Sequence, residues 1–136
     1  MVDLSANKSD IAAGKVSYDL NGWLGGWLAQ TDTSRFSATF LSATDSVLGS
    51  AQIGPIAPGE RNNETGLFFR ETSGLLPTDT AKVKLELEMI RFSGGDNDGY
   101  ADNLYFSVTA VPEPGTWAML VAGLGALGAV ARRRTR

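Results

Sequence analysis

Residues 82–89 read Lys82-Val83-Lys84-Leu85-Glu86-Leu87-Glu88-Met89, with an apolar side chain at every second position. Successive side chains of a β-strand point to opposite faces of the sheet, so this alternation predicts a strand with one buried face and one wet face. Lysine and glutamate are costly to bury, which places the charged set toward solvent. The stretch therefore favours a β fold whose sheet is covered on one side only.

The same alternation recurs elsewhere in residues 1–111, which show no helical periodicity. Apolar residues take every second place in Phe36–Phe40 and again in Leu104–Val108. Turn-forming sequences such as Gly54-Pro55 and Ser93–Gly99 separate the alternating runs. Six strands are predicted, at residues 15–20, 34–42, 47–54, 65–73, 80–92 and 101–110.

Short strands with no helices between them predict an all-β fold, an antiparallel β-sandwich. An isolated two-sheet sandwich usually has seven or more strands, which is more than the six predicted. Residues 1–14 also lack the basic and apolar regions of a secretory signal peptide. We therefore expect that an N-terminal part of the protein precedes Met1 and that the domain is truncated at this end.

The composition excludes several kinds of chemistry. The 136 residues include no Cys and no His, which rules out disulfides, thiolate metal sites and histidine-dependent catalytic triads. Any metal ion must be held by oxygen ligands, which favours calcium. The net charge of −3 divides into −6 for residues 1–111, with 8 basic and 14 acidic side chains, and +3 for residues 112–136. Since an acidic body repels phosphates, no nucleic-acid partner is expected.

The C-terminal segment combines an apolar run with a cluster of arginines. Residues 117–131 read WAMLVAGLGALGAVA, and Arg132, Arg133, Arg134 and Arg136 follow. As a helix the run would be about 22 Å long, which is short for the ~30 Å hydrocarbon core of a bilayer. Its small residues suit helix packing in a membrane. We predict a transmembrane helix with the arginines as a cytoplasmic stop and the body outside; the alternative is a buried core helix.

This segment also resembles a known targeting signal. The order Val111-Pro112-Glu113-Pro114-Gly115, then an apolar Gly/Ala/Leu helix, then terminal arginines is similar to the PEP-CTERM sorting signal, whose sorting motif falls on Pro112, Glu113 and Pro114. The same segment is also labelled an ice-binding protein C-terminal motif. The resemblance implies an exported Gram-negative protein that is anchored in the inner membrane, handled by an exosortase and then found at the cell surface or outside the cell. Such proteins accompany exopolysaccharide, and the implied division is a body at 1–111 and a sorting signal at 112–136.

The body resembles a second family over residues 13–108. The resemblance rests on six elements in order: Asn21–Trp27, Gln30-Thr31-Asp32, a strand ending in Phe40-Leu41, Arg61, Leu76-Pro77 and Gly94–Leu104. These are similar to the galactose-binding-like jelly rolls related to F-box-associated and carbohydrate-binding modules. The resemblance implies a jelly-roll sandwich and leaves the ligand open, because one fold hosts many functions.

Two aromatic residues are candidates for ligand contact. Trp23 and Trp27 flank Leu24-Gly25-Gly26, and an exposed indole can stack on a sugar ring. Asp32 and Arg61 would then form hydrogen bonds with sugar hydroxyls. The competing interpretation is that both indoles belong to the core of the sandwich.

The sequence offers one candidate cofactor, a calcium ion. The carboxylates of Asp96, Asp98 and Asp102 fall in one short segment together with two Asn carbonyls, and calcium accepts 6–8 oxygen ligands in irregular loops. The segment lacks the distal glutamate of an EF-hand loop, since position 107 is Ser. The alternative is a turn in which Asn, Asp and Gly supply the backbone conformation.

No pair of carboxylates stands out as an acid/base couple, so catalysis is not expected. The favoured hypothesis is a non-catalytic surface or extracellular matrix protein, sorted by its C-terminal signal and associated with exopolysaccharide. A lectin-like carbohydrate-binding module is the alternative. A glycan-active enzyme is the second alternative, and it would need two carboxylates about 5–10 Å apart in a cleft.

Overall fold

The computed structural model describes residues 1–92, 94–112 and 114–134. Within those ranges the chain forms seven strands and two α-helices, with 3₁₀ turns at Ser5–Asn7 and Pro58–Arg61. The elements are β1 (Val2–Asp3), α1 (Lys8–Ala12), β2 (Val16–Gly26), β3 (Thr33–Leu41), β4 (Val47–Ile53), β5 (Gly66–Leu75), β6 (Lys82–Ile90), β7 (Gly99–Ala110) and α2 (Pro114–Arg134).

The strands form two antiparallel sheets that pack face to face. One sheet has the order β1-β6-β3-β4, and the other has the order β5-β2-β7. Strand β2 is the centre of the smaller sheet and pairs along its length with both β5 and β7. The all-β sandwich followed by one C-terminal helix is thereby confirmed.

All six predicted strands are present, and the largest error lies in β2. This strand continues to Gly26, six residues beyond its predicted end at residue 20. The glycines in this part are required by packing, because a Cβ on Gly25 would lie 1.8 Å from the carbonyl oxygen of Gly66 on β5. The predicted strand ends before these glycines, and β1 and α1 were not predicted because they are too short to show a period.

The core lies between the sheets and follows the predicted alternation. Val16, Leu20 and Leu24 of β2 are at most 1% exposed and belong to one cluster with the apolar residues of β3. The predicted buried face of β6 is buried only at its start. Val83 is fully buried, whereas Leu87 and Met89 on the same side of the strand are each 44% exposed.

Helix α2 begins at Pro114, where a residue without a backbone N–H is well tolerated. Its described apolar side chains are exposed throughout, for example Trp117 at 62% and Leu127 at 70%. The alternative of a buried core helix is therefore wrong.

Across residues 1–92, 94–112 and 114–134, the structure contains no helix with the length and apolar character needed to cross a membrane. The predicted transmembrane helix is thus not supported. The continuous apolar run within α2, residues 117–131, is fifteen residues long, which is shorter than the roughly 17–25 residues that a span requires.

Candidate ligand-binding face and sorting tail

Three exposed aromatic side chains lie on adjacent strands of the smaller sheet. Trp23 on β2 is 42% exposed, Phe69 on β5 is 43% exposed and Tyr105 on β7 is 55% exposed. Trp23 and Phe69 are direct cross-strand partners whose ring centroids are 5.8 Å apart at an interplanar angle of 59°. All three point away from the core, and we call this surface the outer aromatic face.

Polar side chains surround these rings on the same side of the sheet. Asn21 lies opposite Glu71 on one neighbouring strand and Tyr105 on the other. Its amide donates a hydrogen bond to the carboxylate of Asp19. Because directly paired residues share a face, the outer aromatic face also carries amide and carboxylate groups that can bond to hydroxyls.

A β-bulge brings Asp102 onto this face. Residues 102 and 105 are three apart, so a regular strand would point them to opposite sides. The pairing of β2 with β7 shifts register between Asn21 and Trp23, and Asn103 takes a left-handed φ of 47°. The extra residue on β7 lets Asp102 pair with Trp23 while Tyr105 pairs with Asn21.

Trp27 lies in the loop between β2 and β3 and is 44% exposed. It borders an open surface pocket of about 460 Å³ that is lined by residues 27–31. Both candidate tryptophans therefore have accessible indole surface. This excludes the interpretation that they are core residues.

Arg61 does not lie on the surface as predicted. Its side chain is fully buried and donates hydrogen bonds to three backbone carbonyls: those of Leu28 at 2.7 Å, Glu64 at 2.7 Å and Gln30 at 3.0 Å. Because its guanidinium is enclosed by these groups, Arg61 joins the β2–β3 and β4–β5 loops and presents no surface to a sugar.

Asp32 is likewise buried and bonded to backbone. One carboxylate oxygen accepts from the Phe92 N–H at 2.6 Å, and the other accepts from the Asp98 N–H at 3.2 Å. Gly26 lies between the two buried residues, since a Cβ there would be 3.1 Å from Nη2 of Arg61 and 3.1 Å from the carbonyl oxygen of Asp32. Both charged residues thus hold loops at one end of the sandwich, and the prediction that they contact a ligand is corrected.

The three carboxylates of the predicted calcium site are spread over a turn and a strand. Asp96 is exposed in the β6–β7 turn, Asp98 is half-buried beside Asp32, and Asp102 is exposed on β7. In the part of the chain that the structure describes, no group of three or more acidic side chains is placed to hold a metal ion. The geometry gives the calcium prediction no support.

The sorting tail follows the body directly. The Val111 N–H donates to the Lys15 carbonyl at 2.6 Å, which fixes the last residue of the body to the start of β2. Pro112 is exposed and Pro114 starts α2, while Glu113 lies outside the described residues. Of the predicted membrane-stop arginines, Arg132 is exposed, Arg133 and Arg134 complete the helix, and Arg136 lies outside the described residues.

Phe69, Tyr105 and Glu71 were not among the sequence candidates. Each becomes a neighbour of a candidate only through the pairing of β2 with β5 and β7. Once the strand pairing is known, the signal for Phe69 and Tyr105 is an aromatic residue at an outward position of a neighbouring strand, and the signal for Glu71 is its place opposite Asn21.

Comparison with known proteins identifies the tail. Residues 110–134 match the PEP-CTERM protein-sorting motif. The match supports exosortase-dependent sorting of a surface protein, with the exosortase as the processing partner. No curated protein matches the chain significantly.

Proposed function

We propose that the chain is a non-catalytic protein of the cell surface or extracellular matrix that works in association with exopolysaccharide. The observation that carries this proposal is the match of residues 110–134 to the sorting motif, on a helix whose apolar side chains are unused by the body. During sorting, α2 holds the protein at the inner membrane with the body outside, and the exosortase acts near Pro112, Glu113 and Pro114. The basic residues at the end of α2 suit attraction to anionic lipid.

Fractionation of cells tests the sorting step. The full chain, fused at Met1 to a secretion signal and expressed in a Gram-negative host that has an exosortase, should enter the envelope fraction. Deleting residues 117–136 should release the body into the soluble extracytoplasmic fraction, because the apolar helix is gone. Replacing Pro112, Glu113 and Pro114 by alanine keeps the helix and should leave an unprocessed form of higher mass. An unchanged distribution in the deletion variant overturns this proposal.

We propose carbohydrate binding as a second function, located on the outer aromatic face. Indole and phenol rings bury the C–H faces of sugars at low entropy cost, and neighbouring amide and carboxylate groups then bond to the hydroxyls. The face offers Trp23, Phe69 and Tyr105 on three adjacent strands, all substantially exposed. It also offers Asn21 and Asp102 at the same level of the sheet.

A binding assay on the polysaccharide of the producing cells tests this second proposal. Trp23→Ala should weaken binding about tenfold, since the loss of stacking on one aromatic ring costs on the order of 1.4 kcal/mol. Phe92→Ala is the matched control, because Phe92 is 67% exposed and lies in the β6–β7 loop, outside the three strands that form this face. Binding that survives alanine at both Trp23 and Trp27 contradicts the carbohydrate site and leaves the sorting proposal intact.

A further inference from the structure

Strand β6 has an open edge along most of its length. β1 pairs only with Lys82 and Val83, and β3 occupies the opposite edge of β6. From residue 84 to residue 90, the structure described in residues 1–92, 94–112 and 114–134 places no strand on the β1 side. Such an edge presents backbone donors and acceptors that can pair with another strand.

Apolar side chains are exposed at the same edge. Leu87 and Met89 point to the same side of the sheet as the buried Val83, yet each is 44% exposed. The smaller sheet therefore leaves this end of β6 uncovered. A strand added beside β6 would bury these side chains as it satisfied the backbone groups.

The charge pattern of β6 specifies which strand fits. The sequence Lys82-Val83-Lys84-Leu85-Glu86-Leu87-Glu88 is complementary to itself when read in the antiparallel direction about Leu85. With Leu85 opposite Leu85 of a second copy, Lys84 lies opposite Glu86 and Lys82 lies opposite Glu88. Opposite charges directly across a strand pair are favourable, and like charges are unfavourable.

Another register lacks this complementarity. If Leu87 were placed opposite itself, Glu86 would face Glu88 of the second copy on both sides of the centre. That arrangement also leaves both lysines without an acidic partner across the interface. The charges thus select the register centred on Leu85.

We propose that the partner of this edge is a second copy of the chain, joined through antiparallel pairing of β6 with β6. Within one copy, Lys84 pairs with Glu86 at 2.7 Å, Lys82 pairs with Asp45 at 2.7 Å and Glu88 pairs with Arg35. In the dimer these pairs are exchanged for pairs between copies or shared with them. All of these side chains are at least 31% exposed, so the exchange costs little. The apolar gain comes from Leu87, whose exposed surface is covered when it lies opposite Val83 of the other copy.

β1 competes with the second copy for this edge. In the centred register, Val83 pairs with Leu87 of the second copy, but Val2 already occupies that position on the edge. β1 has only two residues and two ladder pairs, while Leu4 remains buried just after it. Displacing Val2 and Asp3 therefore opens the edge and leaves Leu4 in the core, while Val2 gives up its partly buried packing against the core.

Cross-linking tests the register directly, because the chain has no native cysteine. Directly opposed residues of antiparallel strands have Cα atoms about 4.5–5.5 Å apart, within the range of a disulfide. Leu85→Cys should give a disulfide-linked dimer of the full chain under mild oxidation. Glu88→Cys is the control, since the two thiols would lie about 20 Å apart along the strand axis. Cross-linking at Leu87→Cys instead, or monomer at all three positions, overturns the proposal.

Charge exchange tests the pairing without touching the core. Lys82→Glu with Lys84→Glu makes an all-acidic edge, and Glu86→Lys with Glu88→Lys makes an all-basic one. Each double variant alone should self-associate at least tenfold more weakly in sedimentation measurements in detergent, and an equimolar mixture should restore the dimer. Because every variant retains α2, any self-association through this helix is the same in all of them and does not affect the comparison. A mixture that stays as weak as its parts contradicts the pairing.

A deletion tests whether β1 competes with the second copy for the edge of β6. Removing Val2 and Asp3 should tighten self-association about tenfold, because two ladder pairs no longer compete. A deletion that weakens association instead would mean that β1 supports the interface, which overturns the proposed competition.

Discussion

The sandwich and helix α2 use apolar residues in opposite ways. In the sandwich, Leu20, Leu24 and Val83 are completely buried against the facing sheet. In α2, Val121, Leu124 and Leu127 are each more than 60% exposed. The apolar side chains of the body stabilise its fold by packing in the core, whereas those of α2 remain exposed and available to contact something outside the chain. This contrast agrees with a tail that carries a sorting motif and a body that folds around its own core.

Glycine shows the same contrast. In β2, Gly25 lies so close to β5 that no side chain fits. In α2, Gly123, Gly125 and Gly128 have no neighbour within 4 Å of the position of a Cβ. Within the body the residue serves close packing of strands, while along α2 it only lowers helix stability in water. Identical substitutions in the two regions should therefore have different consequences.

The largest expected effect is the loss of the buried guanidinium in the body. Arg61→Leu leaves three backbone carbonyls without their donor and unties two loops. We expect a loss of about 3–5 kcal/mol in the free energy of unfolding, measured by denaturant titration with tryptophan fluorescence. Arg70→Leu is the control, because Arg70 forms an exposed pair with Glu60 and should change stability by less than about 1 kcal/mol. Equal losses in the two variants would contradict a special role for Arg61.

The next largest effect is the difference between the same Leu→Ala substitution in the sandwich and in α2. Leu24→Ala should lower the stability of the body by about 2–5 kcal/mol, since a fully buried side chain leaves a cavity. Leu124→Ala should leave the unfolding of the body within about 0.5 kcal/mol of the parent, because Leu124 is 62% exposed. Both are followed by the midpoint of the same denaturant transition. A large loss from Leu124→Ala would show that α2 packs on the sandwich, which would undo the comparison.

Period-two alternation was sufficient to predict six strands and the sandwich class. It could not predict where β2 ends, because the glycines of residues 22–26 signal a loop locally and serve close strand packing only in the assembled sheet. It also misjudged β6, where the alternation at Leu87 and Met89 is regular but the covering sheet stops short. Coverage depends on the relative extent of the two sheets, which no local pattern contains.

The candidate site was predicted less completely. Trp23 and Trp27 were identified and are exposed, but their companions on β5 and β7 depend on strand register. Asp102 reaches the outer aromatic face only through the bulge at Asn103. Asp32 and Arg61 were predicted to form hydrogen bonds with sugar hydroxyls, which requires exposed side chains. Their burial is explained by backbone donors and acceptors from distant loops, which converge only in the fold.

A smaller effect is expected from the same Gly→Ala substitution in β2 and in α2. Gly25→Ala should cost about 1–3 kcal/mol, because the added methyl group would overlap the Gly66 carbonyl and force β2 away from β5. Gly125→Ala should leave the body unchanged and stabilise the helix by about 1 kcal/mol. Thermal unfolding followed by circular dichroism at strand and helix wavelengths separates the two responses. A stabilised body in Gly25→Ala would show that β2 and β5 have room to separate.

The smallest expected effect is a loss of folding stability at acidic pH. It is confined to the body, since residues 114–134 contain no carboxylate side chain. The Ala57 N–H, at 2.8 Å from the Glu60 carboxylate, and then Arg70 lower the pKa of Glu60. Because the folded pKa lies below the unfolded one, this contribution is present at neutral pH and is lost as the pH falls below about 4. The loss should be slight, since Glu60 is exposed and screened.

Glu60→Gln should therefore flatten the stability profile of the body between about pH 5 and pH 3, while the helix signal of α2 stays constant. A profile that keeps its slope in Glu60→Gln would assign the acid sensitivity to other carboxylates, of which Asp3, whose pKa is lowered by the Ser5 N–H, is the first to test.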